Sequence, residues 1–188
     1  MCTVRSTFVP LAALLMIFTG CSTAPKSDAA RADLRDEANV TVRKFERRDE
    51  SLHNTIDRSA GYAVFPSVGK GGLGVGGAYG RGVLFENGRM SAFCDLSQAS
   101  IGFQAGGQDY AELIVFRDRD ALNRFKNGTY ALAAEVSAVA IKPGASAQAE
   151  FKQGVAVFTA TNAGLMYEAS VAGQKFRTTP APDTNRAD

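Results

Sequence analysis

The chain has 188 residues, 45% of them hydrophobic, with 21 basic and 19 acidic side chains and a formal net charge of +2. That balance is too near neutral for a global field that draws in nucleic acid, so any electrostatic partner must be read from a local patch. One histidine and three cysteines leave little material for metal or acid–base chemistry.

Residues 1–20 read as an address to be set aside before the fold is considered. Met1–Thr7 carries one charge, Arg5, and Phe8–Phe18 is an unbroken apolar run of eleven residues. Spanning a bilayer takes ~20 apolar residues, so this run has the length of a signal-peptide core instead. Thr19-Gly20-Cys21 closes it. Small residues before a cysteine at that place resemble the lipobox of bacterial lipoproteins, with Phe18 departing from the usual Leu or Val. The resemblance implies cleavage before Cys21 and acylation of Cys21 by three chains. Each buried CH₂ contributes ~0.8 kcal/mol, so three chains anchor durably where one would not. Ser22, rather than Asp, after the cysteine implies sorting to the outer membrane of a bacterial cell envelope, facing the periplasm or the surface. The alternative is an ordinary cleaved signal with an incidental cysteine. With Cys2 removed and Cys21 acylated, Cys94 is left without an intramolecular disulfide partner. The remaining length suits one domain with a sizeable core.

After a small, polar tether over residues 21–29, the period becomes helical. Leu34, Ala38, Val42, Phe45, Leu52 and Ile56 fall within a ~80° arc when wound at ~100° per residue. Asp28 is the expected N-cap. A break near Asp49–Ser51 would make two helices of one. From Gly61 the period is two. Gly61–Val68 reads as a strand with Pro66 at an edge or end, and Gly71–Phe85 continues extended. Glu86-Asn87-Gly88 reads as a hairpin turn, and Arg89–Asp95 returns from it. Ser100–Gln108 and Tyr110–Phe116 read as two strands joined through Gly106-Gly107. Asp118–Lys126 is a capped helix closed by Asn127-Gly128. Tyr130–Ile141, Gly154–Thr161 and Gly164–Gly173 finish the chain as strands, and residues 178–188, with two prolines and no apolar period, read as a disordered tail. The pattern predicts an α+β fold: a curved antiparallel sheet or small β-barrel with amphipathic N-terminal helices and one inserted short helix.

The stretch 69–82, GKGGLGVGGAYGRG, has eight glycines in fourteen residues. Gly69, Gly71 and Gly74 match G-x-G-x-x-G, as do Gly72, Gly74 and Gly77. The mechanism behind that pattern requires a helix to start directly after the loop. Ala78–Phe85 is a poor helix start, and no G-K-[ST] follows. Split by parity, positions 72, 74, 76, 78, 80 and 82 are Gly, Gly, Gly, Ala, Gly, Gly, whereas the odd positions carry most of the bulk. Alternate strand residues face opposite sides. Gly72, Gly74, Gly76, Gly80 and Gly82 are therefore read as structural, forming a bare strand face where another group packs closely.

The series Gly61-Tyr62-Ala63-Val64-Phe65-Pro66, Lys70-Gly71-Gly72-Leu73-Gly74-Val75-Gly76-Gly77 and Gly80-x-Gly82-Val83-Leu84 resembles the signature of the SYLF domain. So do Ser100–Gln108, Glu112–Phe116 and the closing Gly164–Val171, and together these cover roughly residues 30–177. The domain is named from eukaryotic proteins that bind phosphoinositides and, in yeast, actin; bacterial members are commonly lipoproteins. The resemblance implies a β-rich lipid-binding fold without catalytic activity, and a basic amphipathic N-terminal helix, here within residues 30–56, that meets the membrane. Lys142–Gln153 departs from the family by lacking its Gly-Arg-rich stretch.

No enzyme, cofactor or metal site is expected. His53 lies in a polar helical stretch, and a pair with Cys94 is the one nucleophile–base arrangement left open. Cys94 otherwise reads as an inert small hydrophobe, and Asp95 and Glu112 as isolated acids on turns and surface. Headgroup binding needs cations near exposed amides, and its candidates are Lys70 and Arg81 beside the glycine strand and Arg43, Lys44, Arg47 and Arg48 on the helix. A bland account of the helix cluster pairs it with Glu46, Asp49 and Glu50. The expected partners are thus anionic membrane phospholipids and no nucleic acid. The alternative is an envelope scaffold that docks a protein through its curved sheet; an enclosed apolar ligand is a weaker third reading.

Overall fold

A computed structural model describes residues 25–182 except 128, 134, 164–170 and 172. Cys21, the apolar run before it, most of the Gly164–Val171 motif and the end of the tail lie outside the described residues. Helices α1 (Asp28–Arg48) and α2 (Ser51–Asp57) lead into two long strands, β1 (Gly61–Glu86) and β2 (Arg89–Phe116). Helix α3 (Arg119–Lys126) and four short strands follow: β3 (Thr129–Ala131), β4 (Ala138–Ala140), β5 (Val155–Ala163) and β6 (Lys175–Pro180). The result is an α+β fold around one curled, half-barrel sheet.

The helices begin and end where their capping chemistry dictates. The hydroxyl of Ser27, one residue before the expected cap, accepts from Ala30 N at 3.2 Å and starts α1, with Asp28 as the acid of its first turn. Pro25 is already buried, and its carbonyl accepts from Arg31 Nε at 2.8 Å. Residues from Pro25 onward, inside the segment read as tether, therefore already pack on the domain. The anticipated break falls at Asp49–Glu50, and Asp118 caps α3 by accepting from Ala121 N at 2.9 Å.

β1 and β2 form one antiparallel ribbon along nearly their whole length. Asn87 and Gly88 close it with φ of 50° and 71°, the positive values that a two-residue hairpin turn requires. Gly106 and Gly107 do not reverse the chain: they lie opposite Gly72 and Gly71 within the ribbon, so the two strands expected over 100–116 are one. Register shifts at Phe65/Val68, Gly72/Gly74 and Leu84/Phe85 each bend the ribbon and increase its twist. The first contains Pro66, whose missing N–H costs least at such an irregularity. On the far side of β2, β6 pairs with residues 92–97 and β5 with residues 109–116.

Three further expectations are corrected. The segment Tyr130–Ile141 is not one strand, because a turn donating Val136 N to Ala133 O (3.1 Å) lets both Leu132 and Val136 reach the core. β4 pairs with β5 in parallel, so the sheet is not wholly antiparallel. Thr178–Pro180, placed in the disordered tail, completes β6 against Ala92–Cys94, burying Phe176 beneath it.

The sheet has apolar residues on both faces. Its inner face gathers Phe65, Leu96, Ile114, Phe116 and Phe176 around Leu122 and Phe125 of α3. The rings of Phe65 and Phe125 lie 5.6 and 5.3 Å from that of Phe176. Its other face packs Val64, Val83, Phe85, Phe93 and Leu113 against the predicted arc of Ala38, Val42, Phe45 and Leu52, with Leu34 and Ile56 at the margin. Along β1 the even positions Ala78, Gly80, Gly82 and Leu84 turn inward. The ribbon there crosses its own beginning: a Cβ on Gly80 would sit 2.9 Å from Val68 Cγ2, and one on Gly82 would overlap Val64 O and lie 2.7 Å from Phe65 Cδ1.

Candidate functional site

The basic side chains of α1 separate into two kinds. Lys44 is half-buried, and its Nζ donates to Asn162 Oδ1 at 2.8 Å while Asn162 Nδ2 donates to Pro66 O at 2.9 Å. It therefore ties the helix to β5 and β1. Arg43, Arg47 and Arg48 are exposed, and none of them forms an ion pair among the described residues.

The acids that could have neutralised them are engaged elsewhere. Glu46 Oε1 lies 3.2 Å from His53 Nδ1, and Asp57 Oδ2 lies 3.3 Å from His53 Nε2. The Glu46 hydrogen bond, with the charges of both carboxylates, raises the histidine pKa. Asp49 is turned inward and buried. It accepts from Ser51 N (3.1 Å), Ser51 Oγ (2.6 Å), Gly144 N (3.0 Å) and Ser146 N (2.7 Å). Burial alone would raise its pKa; these donors outweigh that and hold it at about 2. Of the three acids, Glu50 forms no ion pair among the described residues; it shares a shallow hollow with Arg43, Glu46, Arg47 and His53.

Lys70 and Arg81 do not converge. Lys70 lies opposite Gln108 and shares strand parity with the inward Val68, whereas Arg81 lies opposite Asp95 and shares parity with Val83 on the helix-bearing face. Arg81 also lines a hollow with Asp33 and Glu37 of α1, acids that oppose anion binding there. The strand parity that exposed the glycine face contained this divergence as well.

Cys94 and His53 are likewise apart. Cys94 is buried in the inner core, where desolvation pushes its thiol well above its ordinary range, and His53 is exposed on α2. No nucleophile–base pair forms from them. Among the described residues no group of three or more His, Cys, Asp or Glu converges for a metal, and no helix is long and apolar enough to cross a membrane.

Glu112 is the acid whose surface assignment is overturned. It is fully buried, on the inward parity of Tyr110 and Ile114. Gln174 Nε2 donates to Glu112 Oε2 at 3.0 Å and approaches Tyr110 Oη at 3.3 Å. Glu112 Oε1 and Gln174 Oε1 find no partner among the described residues. Desolvation raises the carboxyl to a pKa of about 7 against the hydrogen bond from Gln174. Alternation through Tyr110-Ala111-Glu112-Leu113-Ile114 was the available signal for this burial.

Residues 97–187 match the family model described as "Ysc84: Las17-binding protein actin regulator". The chain is also 26% identical over 149 residues to "Beta cell expansion factor A" of Aeromonas veronii. That alignment covers 78% of this chain and 56% of the relative, so the chain spans just over half of that protein's length. The family match begins within β2 and takes in every later element, leaving the arginine-bearing helix outside the matched residues.

Proposed function

The chain carries a domain of the SYLF (Ysc84) family, and on that premise we propose that it is a lipid-anchored protein of the bacterial outer membrane whose domain binds anionic phospholipid headgroups without catalysing a reaction. The observation that carries this reading is the set Arg43, Arg47 and Arg48. α1 commits its apolar arc to the sheet, and the neighbouring acids Glu46 and Asp49 bond to other groups. Three cations are left facing outward on one stretch of helix. Each basic residue near an anionic bilayer contributes about 1 kcal/mol, enough in combination to hold a surface that acyl chains on Cys21 already keep close. Lys44 contributes to the fold in this reading, and Arg81 is shielded by Asp33 and Glu37. Flotation of the unacylated chain with vesicles tests the proposal. Recovery with anionic vesicles should exceed recovery with neutral ones and decline as salt rises; equal recovery with both defeats it.

A second reading, a scaffold that docks an envelope protein, draws support from the family description, which names a protein partner. Cross-linking in intact cells that yields one stoichiometric protein partner, together with equal recovery from anionic and neutral vesicles, would favour it over lipid.

A further inference from the structure

A second basic site lies away from the helix cluster. A cleft of about 420 Å³ opens between α2 and the 142–151 loop, lined by Arg58, Arg117, Asn54 and a wall of hydroxyls from Ser51, Thr55, Ser59 and Ser146. Its volume falls within the range of small-ligand sites. No acidic side chain lines it. Asp57 is turned to His53, Glu150 to Lys152, and Asp49 lies behind the Ser51–Ser146 wall with its oxygens already accepting four hydrogen bonds. The side chain of Arg58 is exposed and forms no ion pair or hydrogen bond among the described residues. Arg117 stands over the ring of Phe151, 5.7 Å from its centroid, and only its Nε approaches a carboxylate, Asp118 at 3.9 Å. Both guanidinium groups therefore have donors to offer.

The proton positions on the hydroxyl wall narrow the ligand further. Ser51 Oγ donates its one proton to Asp49 Oδ1 at 2.6 Å, and Ser146 Oγ, 2.8 Å from Ser51 Oγ, has Ser51 and Asp49 as its acceptors, so both protons stay within this trio. Thr55 Oγ1 donates to Ser51 O at 3.3 Å and Ser59 Oγ to Ile56 O at 2.7 Å. The three serine protons are thus committed and that of Thr55 is held by a longer bond, so the wall presents mainly lone pairs. An anion alone would meet acceptors there. A ligand suits both walls if it brings an anionic group to the arginines and hydroxyl donors to the serines and threonine. We propose that the cleft between α2 and the 142–151 loop binds a phosphate ester bearing neighbouring hydroxyls, of the glycerophosphate class, with Arg58 and Arg117 gripping the phosphate. Such a group occurs both as a lipid headgroup and as a free metabolite. The site goes beyond the membrane contact of α1 and stands without it.

Titration of the full chain with sn-glycerol 3-phosphate, inorganic phosphate and glycerol at low salt tests the proposal. Glycerophosphate should bind saturably, at least fivefold more tightly than inorganic phosphate, with no binding of glycerol. R58Q should weaken it at least fivefold with an unchanged melting temperature, since that side chain supports nothing else, and R58Q–R117Q should abolish it. The triple variant R43Q–R47Q–R48Q should leave it untouched. No saturable binding, an unaltered affinity in R58Q, or equal affinity for inorganic phosphate would overturn the assignment. Vesicles of phosphatidylglycerol and phosphatidylserine at equal charge identify the source. A phosphatidylglycerol preference that disappears in R58Q assigns a headgroup; equal recovery of both, with soluble glycerophosphate still bound, assigns a free ester. If anionic vesicles are not bound at all while glycerophosphate is, the membrane reading fails and this one stands.

Discussion

Gly82 and Val64 belong to the same strand, yet the ribbon bends so far that the α-carbon of Gly82 packs over the carbonyl of Val64 with no room for a Cβ between them. Gly80 and Gly82, at the end of the bare face of β1, are the place where the sheet closes on its own beginning. Its curvature puts the helices on one side and α3 in the opposite core, and so decides which cations reach solvent.

Substitution at that crossing should be costly. G82A forces a methyl into backbone and the ring of Phe65, and overpacking of this kind typically costs 1–3 kcal/mol. G80A meets Val68 and Ser67 at similar range and should behave alike. At Gly69 a Cβ would meet nothing within 4 Å, so G69A should lie within about 0.5 kcal/mol of the parent. Urea midpoints of the three variants check the order.

Glu112 should make the fold less stable as pH rises. Its folded pKa of about 7 stands above the ordinary 4.5, so the folded state binds the proton more tightly. The contribution is fully present below pH 4.5 and is lost as pH rises through 7, by about 3 kcal/mol in total. E112Q keeps the shape without the charge. It should flatten this part of the stability–pH curve and exceed the parent at pH 8; an unchanged slope between pH 5 and 8 would refute the assignment.

Asp49 should act in the opposite sense. Its pKa of about 2 is below the ordinary 3.8, so its stabilisation is present above pH 3.8 and is lost as pH falls through 2. D49A would strand the amides of Gly144 and Ser146 and is expected to cost about 3 kcal/mol. Hydrogen exchange should quicken first over residues 142–149, which that carboxylate latches to the helices.

The helix cations should divide by function. R43Q–R47Q–R48Q is expected to cut recovery with anionic vesicles at least tenfold, with no more than about 0.5 kcal/mol change in stability. K44Q should do the reverse, costing about 0.5–1 kcal/mol through its bond to Asn162 while leaving most vesicle binding in place. Flotation and thermal melts on the same preparations separate the two effects.

Local periodicity made much of this fold legible. The 3.6-residue spacing from Leu34 to Ile56 identified the arc that packs on the sheet, and Asn87-Gly88 marked the hairpin because both positions need positive φ. The parity of residues 72–82 marked a bare face whose Gly80 and Gly82 lie at the close crossing, and the resemblance named the family that residues 97–187 match. Patterns that repeat every two or four residues record which side of an element is buried, so they can be read without the rest of the chain.

What faces that buried side is a different kind of information. Gly106-Gly107 has the composition of a turn, and only pairing with Gly71 and Gly72 keeps it extended. Glu46 and Asp49 stand beside the arginines in the chain, yet His53 and the 144–146 amides claim them. Arg58 and Arg117, far apart in sequence, line one cleft once α2 and the 142–151 loop are packed together. The sequence alone marked the helices, the hairpin, their apolar faces and the family resemblance; the tertiary structure decided how far the strands run and which charges are paired, buried or free. Charge pairing acts through distances of a few ångströms between segments remote in the chain, and those distances exist only after the ribbon has folded over itself.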